Sequence, residues 1–261
     1  MEYYEKERLI KMIRNTIAII ILGAVWHTYA TSPGRAYRVL DKYLKKTYGE
    51  EFVIEYMGRR GLNGRKWYEA GIVYPKSYIG TVRENDSYYW GRGFAEIVPF
   101  GFDVGDSYGG VLLDESANEF YGKKLRELFG ENILPVLKID GEYKYTDFQQ
   151  EYSRAKKVIS GGIYIFGRVE NDEDREWYRS EIYKFIQFMK ETGTFEYVDL
   201  GITVIDEREL INLENPHKYI ENLSNKLDKE TWRKERRRLM KNADEEFSKL
   251  SKQEIKNRVV K

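Results

Sequence analysis

The stretch Ile17 to Trp26, IAIIILGAVW, constrains this chain more than any other, because ten consecutive apolar or small residues have to leave water somewhere. Lys6, Arg8, Lys11 and Arg14 precede it, and Pro33-Gly34 follows it. Three destinations are open: lipid, an export signal that is cut away, or the core of a soluble domain. A basic region ahead of about 7–15 apolar residues is the layout of an export signal, and Thr28 and Ala30 offer small residues at −3 and −1 of a cleavage site. The bulk of Trp26, His27 and Tyr29 works against cleavage there. The uncharged window is wider than the apolar centre. From Asn15 through Gly34, 20 residues carry no formal charge, enough for a helix to cross about 30 Å of hydrocarbon with Trp26 and Tyr29 at its boundary. The expectation is a retained membrane anchor whose lipid-facing residues are Ile17, Ile19, Ile20, Ile21, Leu22, Val25 and Trp26. Cleavage near Ala30, and a buried helix of a cytoplasmic protein, are the alternatives. Arg35, Arg38, Lys42, Lys45 and Lys46 offset the basic residues before the run, so the positive-inside rule sets orientation only weakly. Arg14 beside the run, behind a short leading tail, favours a cytoplasmic start and an extracytoplasmic body.

Composition narrows the chemistry. With 41% hydrophobic and 33% charged residues the 261-residue chain can bury a core, which excludes global disorder. The 22 tyrosines suit half-buried strands, and a ring-lined ligand surface is the sharper reading of the same count. The absence of cysteine removes disulfides, zinc–thiolate sites and thiol nucleophiles. With only His27 and His217, histidine metal sites and Ser-His-Asp triads have little to draw on. His217 follows Asn215-Pro216 and reads as a helix-start or loop residue. Nucleophile-elbow, P-loop and dinucleotide fingerprints do not occur, so no cofactor and no metal are expected. The net charge of +1 gives no reason to expect nucleic acid. The charge is uneven, however: residues 222–261 hold 13 Lys/Arg against 7 Asp/Glu, and read as a charged helical tail.

Periodicity and turn residues divide the remainder. Residues 33–48 form an amphipathic helix with Tyr37, Leu40 and Leu44 on one face, ended by Gly49. Strands are expected at 52–57, 66–75, 77–84 and 87–100, with a Gly-rich turn at 58–65. Residues 101–116 read as an irregular loop, in which Asp103, Asp106 and Asp114 could gather round a cation although their spacing matches no metal motif. A helix over 117–129, a strand over 133–139 and a short helix to about Lys157 follow. Residues 157–170 are the clearest buried strand. Asp172 caps a helix to Glu191 that turns Trp177, Ile182, Phe185, Ile186 and Met189 to the sheet, and 194–206 is a strand. The strands flanking that helix can be parallel neighbours or antiparallel members of one layer, and the hairpins favour the latter. The fold class is α+β: a mainly antiparallel sheet packed by two or three helices. It is expected over residues 32–221, divisible at about 130, between a hydrophobic helix (1–31) and the charged tail (222–261).

Three function classes are consistent with these residues. The first is a non-enzymatic, membrane-tethered domain binding a protein, a peptide or an envelope polymer, with Trp67, Tyr68, Tyr88, Tyr89, Trp90 and Glu96 as candidate ligand residues. Glu96 enters because it stands in an otherwise apolar or aromatic stretch, GFAEIVPF, although the solvent face of a strand accounts for it as well. The second is a soluble interaction protein such as a toxin-neutralising antidote. The third, an enzyme working through carboxylates, lacks a recognisable nucleophile and base set.

Overall fold

A computed structural model describes residues 2–99, 101–140, 145–154, 156–212 and 215–224; the expected charged tail lies outside them from residue 225 onward. Helix α1 (Glu2–Ala30) carries the apolar run. Its span Lys6–Tyr29 is long and apolar enough to cross a membrane, and none of it is buried against the rest of the chain. An anchor and an export signal both have this character.

Two compact units follow by contact, Met1–Ile79 with Trp90–Tyr108, and Gly80–Tyr89 with Gly109–Lys261. In the first, helix α2 (Pro33–Tyr48) starts on proline and ends at Gly49, whose left-handed φ of +78° lets its N–H close onto Lys45 O. Ala36, Leu40 and Leu44, four residues apart, are its buried line. Tyr37, expected on that face, sits one residue round the helix from Ala36 and stays exposed.

Sheet A is antiparallel throughout. Its strands are β1 (Phe52–Glu55), β2 (Gly58–Leu62), β3 (Arg65–Pro75), β4 (Gly91–Val98) and β5 (Gly101–Asp106), in the order β1-β3-β4-β5 with β2 also on β3. The Gly-rich segment 58–65 is therefore mostly strand. Only Asn63-Gly64, with φ of +50° and +82°, turns the chain, as a two-residue hairpin loop favours. Residues 77–84 are not a strand. They contribute to two short 3₁₀ turns, Lys76–Tyr78 and Val82–Asn85, separated by Gly80 at φ +78°, the second started by the Thr81 hydroxyl accepting from Arg83 N–H. The expected loop 101–116 is β5 followed by the first turns of helix α3 (Tyr108–Phe129). The inner face of sheet A packs on α2: a Cβ on Gly93 would lie 2.7 Å from Leu40, and Tyr68 and Ala95 enclose Ala36.

The second unit contains β6 (Ile133–Ile139), α4 (Phe148–Arg154), β7 (Ile159–Gly167), α5 (Asp172–Glu191), β8 (Val198–Asp206) and α6 (Pro216–Ser224). Sheet B runs β6-β7-β8. Its β6–β7 pair is antiparallel and its β7–β8 pair parallel, so the strands flanking α5 are parallel neighbours. Asn171, not Asp172, caps α5, in a reciprocal capping box with Asp174. Phe185 and Met189 of α5 reach the core while Trp177 remains exposed, edge-on to Phe129. One face of sheet B packs Leu137, Ile159, Ile163 and Ile165 on α3, α4 and α5. The other buries Leu134, Phe166 and Ile205 with Leu210 and Ile220. The architecture is α+β, with an antiparallel and a mixed sheet.

Candidate functional site

Strand alternation sorts sheet A into two faces. Because partners in register point the same way, the face away from α2 carries one row of Arg60, Trp67, Glu96 and Asp103, and a second of Gly58, Glu69, Phe94 and Gly105. Trp67, Glu69, Phe94 and Glu96 of these rows line a cleft of about 570 Å³ together with Leu62, Arg65 and Arg92. Phe94 is 44% exposed and lies across Gly105, where a Cβ would fall 2.4 Å from its ring, so Gly105 is what lets the ring lie flat on the sheet.

The arginines on this face are paired with its two glutamates. Arg65 grips Glu96 through Nε and Nη2, and Glu69 stands between Arg60 at 3.5 Å and Arg92 at 3.6 Å. The Arg65 bonds hold Glu96 below the usual carboxylate range, and Glu96 in turn raises Arg65. Both side chains are thus charged at neutral pH and paired with one another, with lone pairs and N–H groups still facing solvent.

In the second unit, Asp86 accepts from Tyr88 N–H at 3.0 Å and lies 2.8 Å from His217 Nδ1. Burial works against the charged form of Asp86, but His217, the Tyr88 N–H and Asn215 outweigh it and lower its pKa. The His217 ring stacks on Tyr88 with 4.3 Å between centroids and meets Tyr89 edge-on. Asn118 donates to the Tyr88 hydroxyl and accepts from Leu137 N–H. Arg83 pairs with Glu115 at 2.9 Å and covers the Tyr89 ring. Two cavities of about 310 and 340 Å³ border this cluster. Pro216 at the helix start is the sequence signal that placed His217 correctly, but its partner Asp86 is 131 residues away and carries no local mark.

The six candidate ligand residues are dispersed. Trp67 and Glu96 are direct cross-strand partners in the cleft. Tyr68 points to the opposite face, is buried in the α2 contact, and donates its hydroxyl to Thr31 O at 3.1 Å. Tyr88 and Tyr89 enclose His217, whereas Trp90 stacks on Tyr74 at 6.2 Å. The sequence reading missed Arg65, Glu69, Arg92 and Phe94, which share the cleft only because of strand register. Asp103 and Asp106, expected as a pair around a cation with Asp114, lie on opposite faces of β5, and Asp106 accepts from Tyr48 O–H and Tyr108 N–H. Among the described residues no group of three or more His, Cys, Asp or Glu could hold a metal ion.

No family model, curated protein or solved structure matches this chain.

Proposed function

We propose that this is a membrane-tethered binding protein whose body lies outside the cytoplasm and whose ligand surface is the open face of sheet A. The carrying observation is the solvent exposure of Ile17, Ile19, Ile20, Ile21, Leu22, Val25 and Trp26 all round α1, each more than half exposed. Moving six such aliphatic side chains from water into hydrocarbon is worth on the order of 10 kcal/mol. Three hydroxyls in and just after the helix fit lipid as well. Thr16, Thr28 and Thr31 return their hydroxyls to the carbonyls of Met12, Ala24 and His27, and need no outside partner. Trp26 and Tyr29 lie 6.5 Å apart near the end of the span, with Arg35 over the Tyr29 ring, as suits a lipid–water boundary. Only Thr31 and Ser32 separate α1 from α2, and Tyr68 bonds one of the free carbonyls at that junction, so the sheet would stand close to the bilayer.

Fractionation tests the tether. The chain should pellet with membranes, resist high salt and alkaline carbonate, and enter solution with detergent. Ile20→Lys with Leu22→Lys, at about 3 kcal/mol for each charge at a span centre, should move it to the soluble fraction. Release of the unaltered chain by salt alone contradicts the tether and favours a soluble interaction protein.

A further inference from the structure

We propose that the cleft on sheet A binds a neutral glycan built of β-linked hexoses with equatorial hydroxyls, one ring stacked on Trp67 and its hydroxyls held by the Arg65–Glu96 pair. This rests on reading the protein as a binding protein and adds the chemistry of the ligand.

The inference starts from what this face offers. Trp67 is half-buried in the cleft floor, and Phe94 presents its free side from the neighbouring row over Gly105. Beside each ring stand a carboxylate and a guanidinium already paired with one another: Glu96 with Arg65, and Glu69 with Arg92 and Arg60. The cleft, at about 570 Å³, falls within the roughly 300–1,000 Å³ of small-molecule sites.

Other ligand chemistries fit this face less well. Nucleic acid needs an excess of positive charge, and here Arg60, Arg65 and Arg92 are matched by Glu69, Glu96 and Asp103. An extended peptide joins a sheet at its edge through backbone groups, whereas this surface is the middle of the sheet and offers side chains. A wholly apolar ligand would strip water from Arg65 and Glu96 and return no hydrogen bonds. A neutral sugar supplies both halves. Equatorial hydroxyls leave the ring faces as C–H surface that lies flat on indole, while the rim hydroxyls donate to Glu96 and accept from Arg65 at once. Because the two groups already face one another before binding, less side-chain ordering is left to oppose association than for two unpaired side chains.

The test is calorimetric titration of the purified full chain in detergent with cellotetraose and tetra-N-acetylchitotetraose, and with polygalacturonate as an anionic polymer. One or both neutral tetrasaccharides should bind and polygalacturonate should not. Trp67→Ala should weaken binding about tenfold or more, the loss of one aromatic stacking contact. Trp67→Phe should restore part of that loss, and Glu96→Gln should weaken binding while leaving the melting temperature unchanged. His217→Ala, in the other unit, should bind as the unaltered chain does. No binding of either tetrasaccharide, preference for polygalacturonate, or equal affinity in Trp67→Ala overturns the inference. The outcomes stay separable from the tether: a chain released by salt that still binds sugar loses the tether alone, and a membrane-bound chain without sugar binding loses the glycan alone.

Discussion

Sheet B is covered on both faces and sheet A on one. In sheet B the residues of β7 alternate between two buried layers, Ile159, Ile163 and Ile165 on one side and Phe166 on the other, and the strand reads as a near-continuous apolar run. In sheet A the same alternation gives Tyr68 and Ala70 to the core and Trp67 and Glu69 to the open side. Large rings in sheet B are there for packing, because every one is spent on a neighbour. Trp67 and Phe94 on the open side of sheet A are spent on no layer, and that difference makes them candidates for a ligand. The charges repeat the contrast. Glu69 and Glu96 are answered by arginines at the surface, while Asp114 of the second unit is half-buried and answered mainly by a single backbone N–H, that of Ile139 at 2.8 Å.

Substitutions separate the two roles. Phe185→Ala, which empties a fully buried site on sheet B, should cost about 3–5 kcal/mol in chemical denaturation. A much smaller loss would mean that the core under sheet B is not packed as described. Asp114→Asn comes next. Burial raises the Asp114 pKa from 3.8 to about 7, only partly opposed by the Ile139 N–H and Lys138. Its contribution to stability is therefore complete below pH 3.8 and lost as pH rises through about 7. The unaltered protein should melt at a lower temperature at pH 8 than at pH 5, and Asp114→Asn should lessen that slope. At about 1.4 kcal/mol per pKa unit, discounted for its partial solvent contact, the gain at pH 8 should be about 1–3 kcal/mol. An unchanged slope would remove Asp114 as its source. Phe94→Ala should have the smallest effect, within about 1 kcal/mol, because nearly half of its surface is already in water and no layer covers it. If it destabilises as much as Phe185→Ala, the open face is a packing surface and the contrast between the sheets collapses.

What the sequence disclosed follows the same division. Strands β6 and β7 were legible because burial on both faces writes itself as unbroken apolar runs, and α2 because Pro33 and Gly49 bracket it. Strand β2 was hidden. Its outward residues, Gly58, Arg60 and Leu62, need no apolar pattern, and its glycines resembled a long turn. Residues 77–84 looked extended because Tyr78, Ile79 and Val82 favour strands, yet Gly80 and the Thr81 cap fold them locally. Trp67 and Glu96 could be singled out one at a time. Their adjacency depends on the register of β3 against β4, which the Asn63-Gly64 hairpin does not fix. Asp86 and His217 meet across 131 residues, a distance that no local pattern spans.

The tether and the exterior placement of the body can be tested together, because the chain contains no cysteine to mask an introduced one. Lys66→Cys, exposed in β3, and Lys6→Cys, eleven residues before the apolar run that starts at Ile17, should be treated separately in intact cells with a membrane-impermeant maleimide. Labelling at residue 66 but not at residue 6, with both labelled after lysis, is the expected result. Labelling at residue 6 alone, or at neither position before lysis, contradicts a body held outside the cytoplasm by α1.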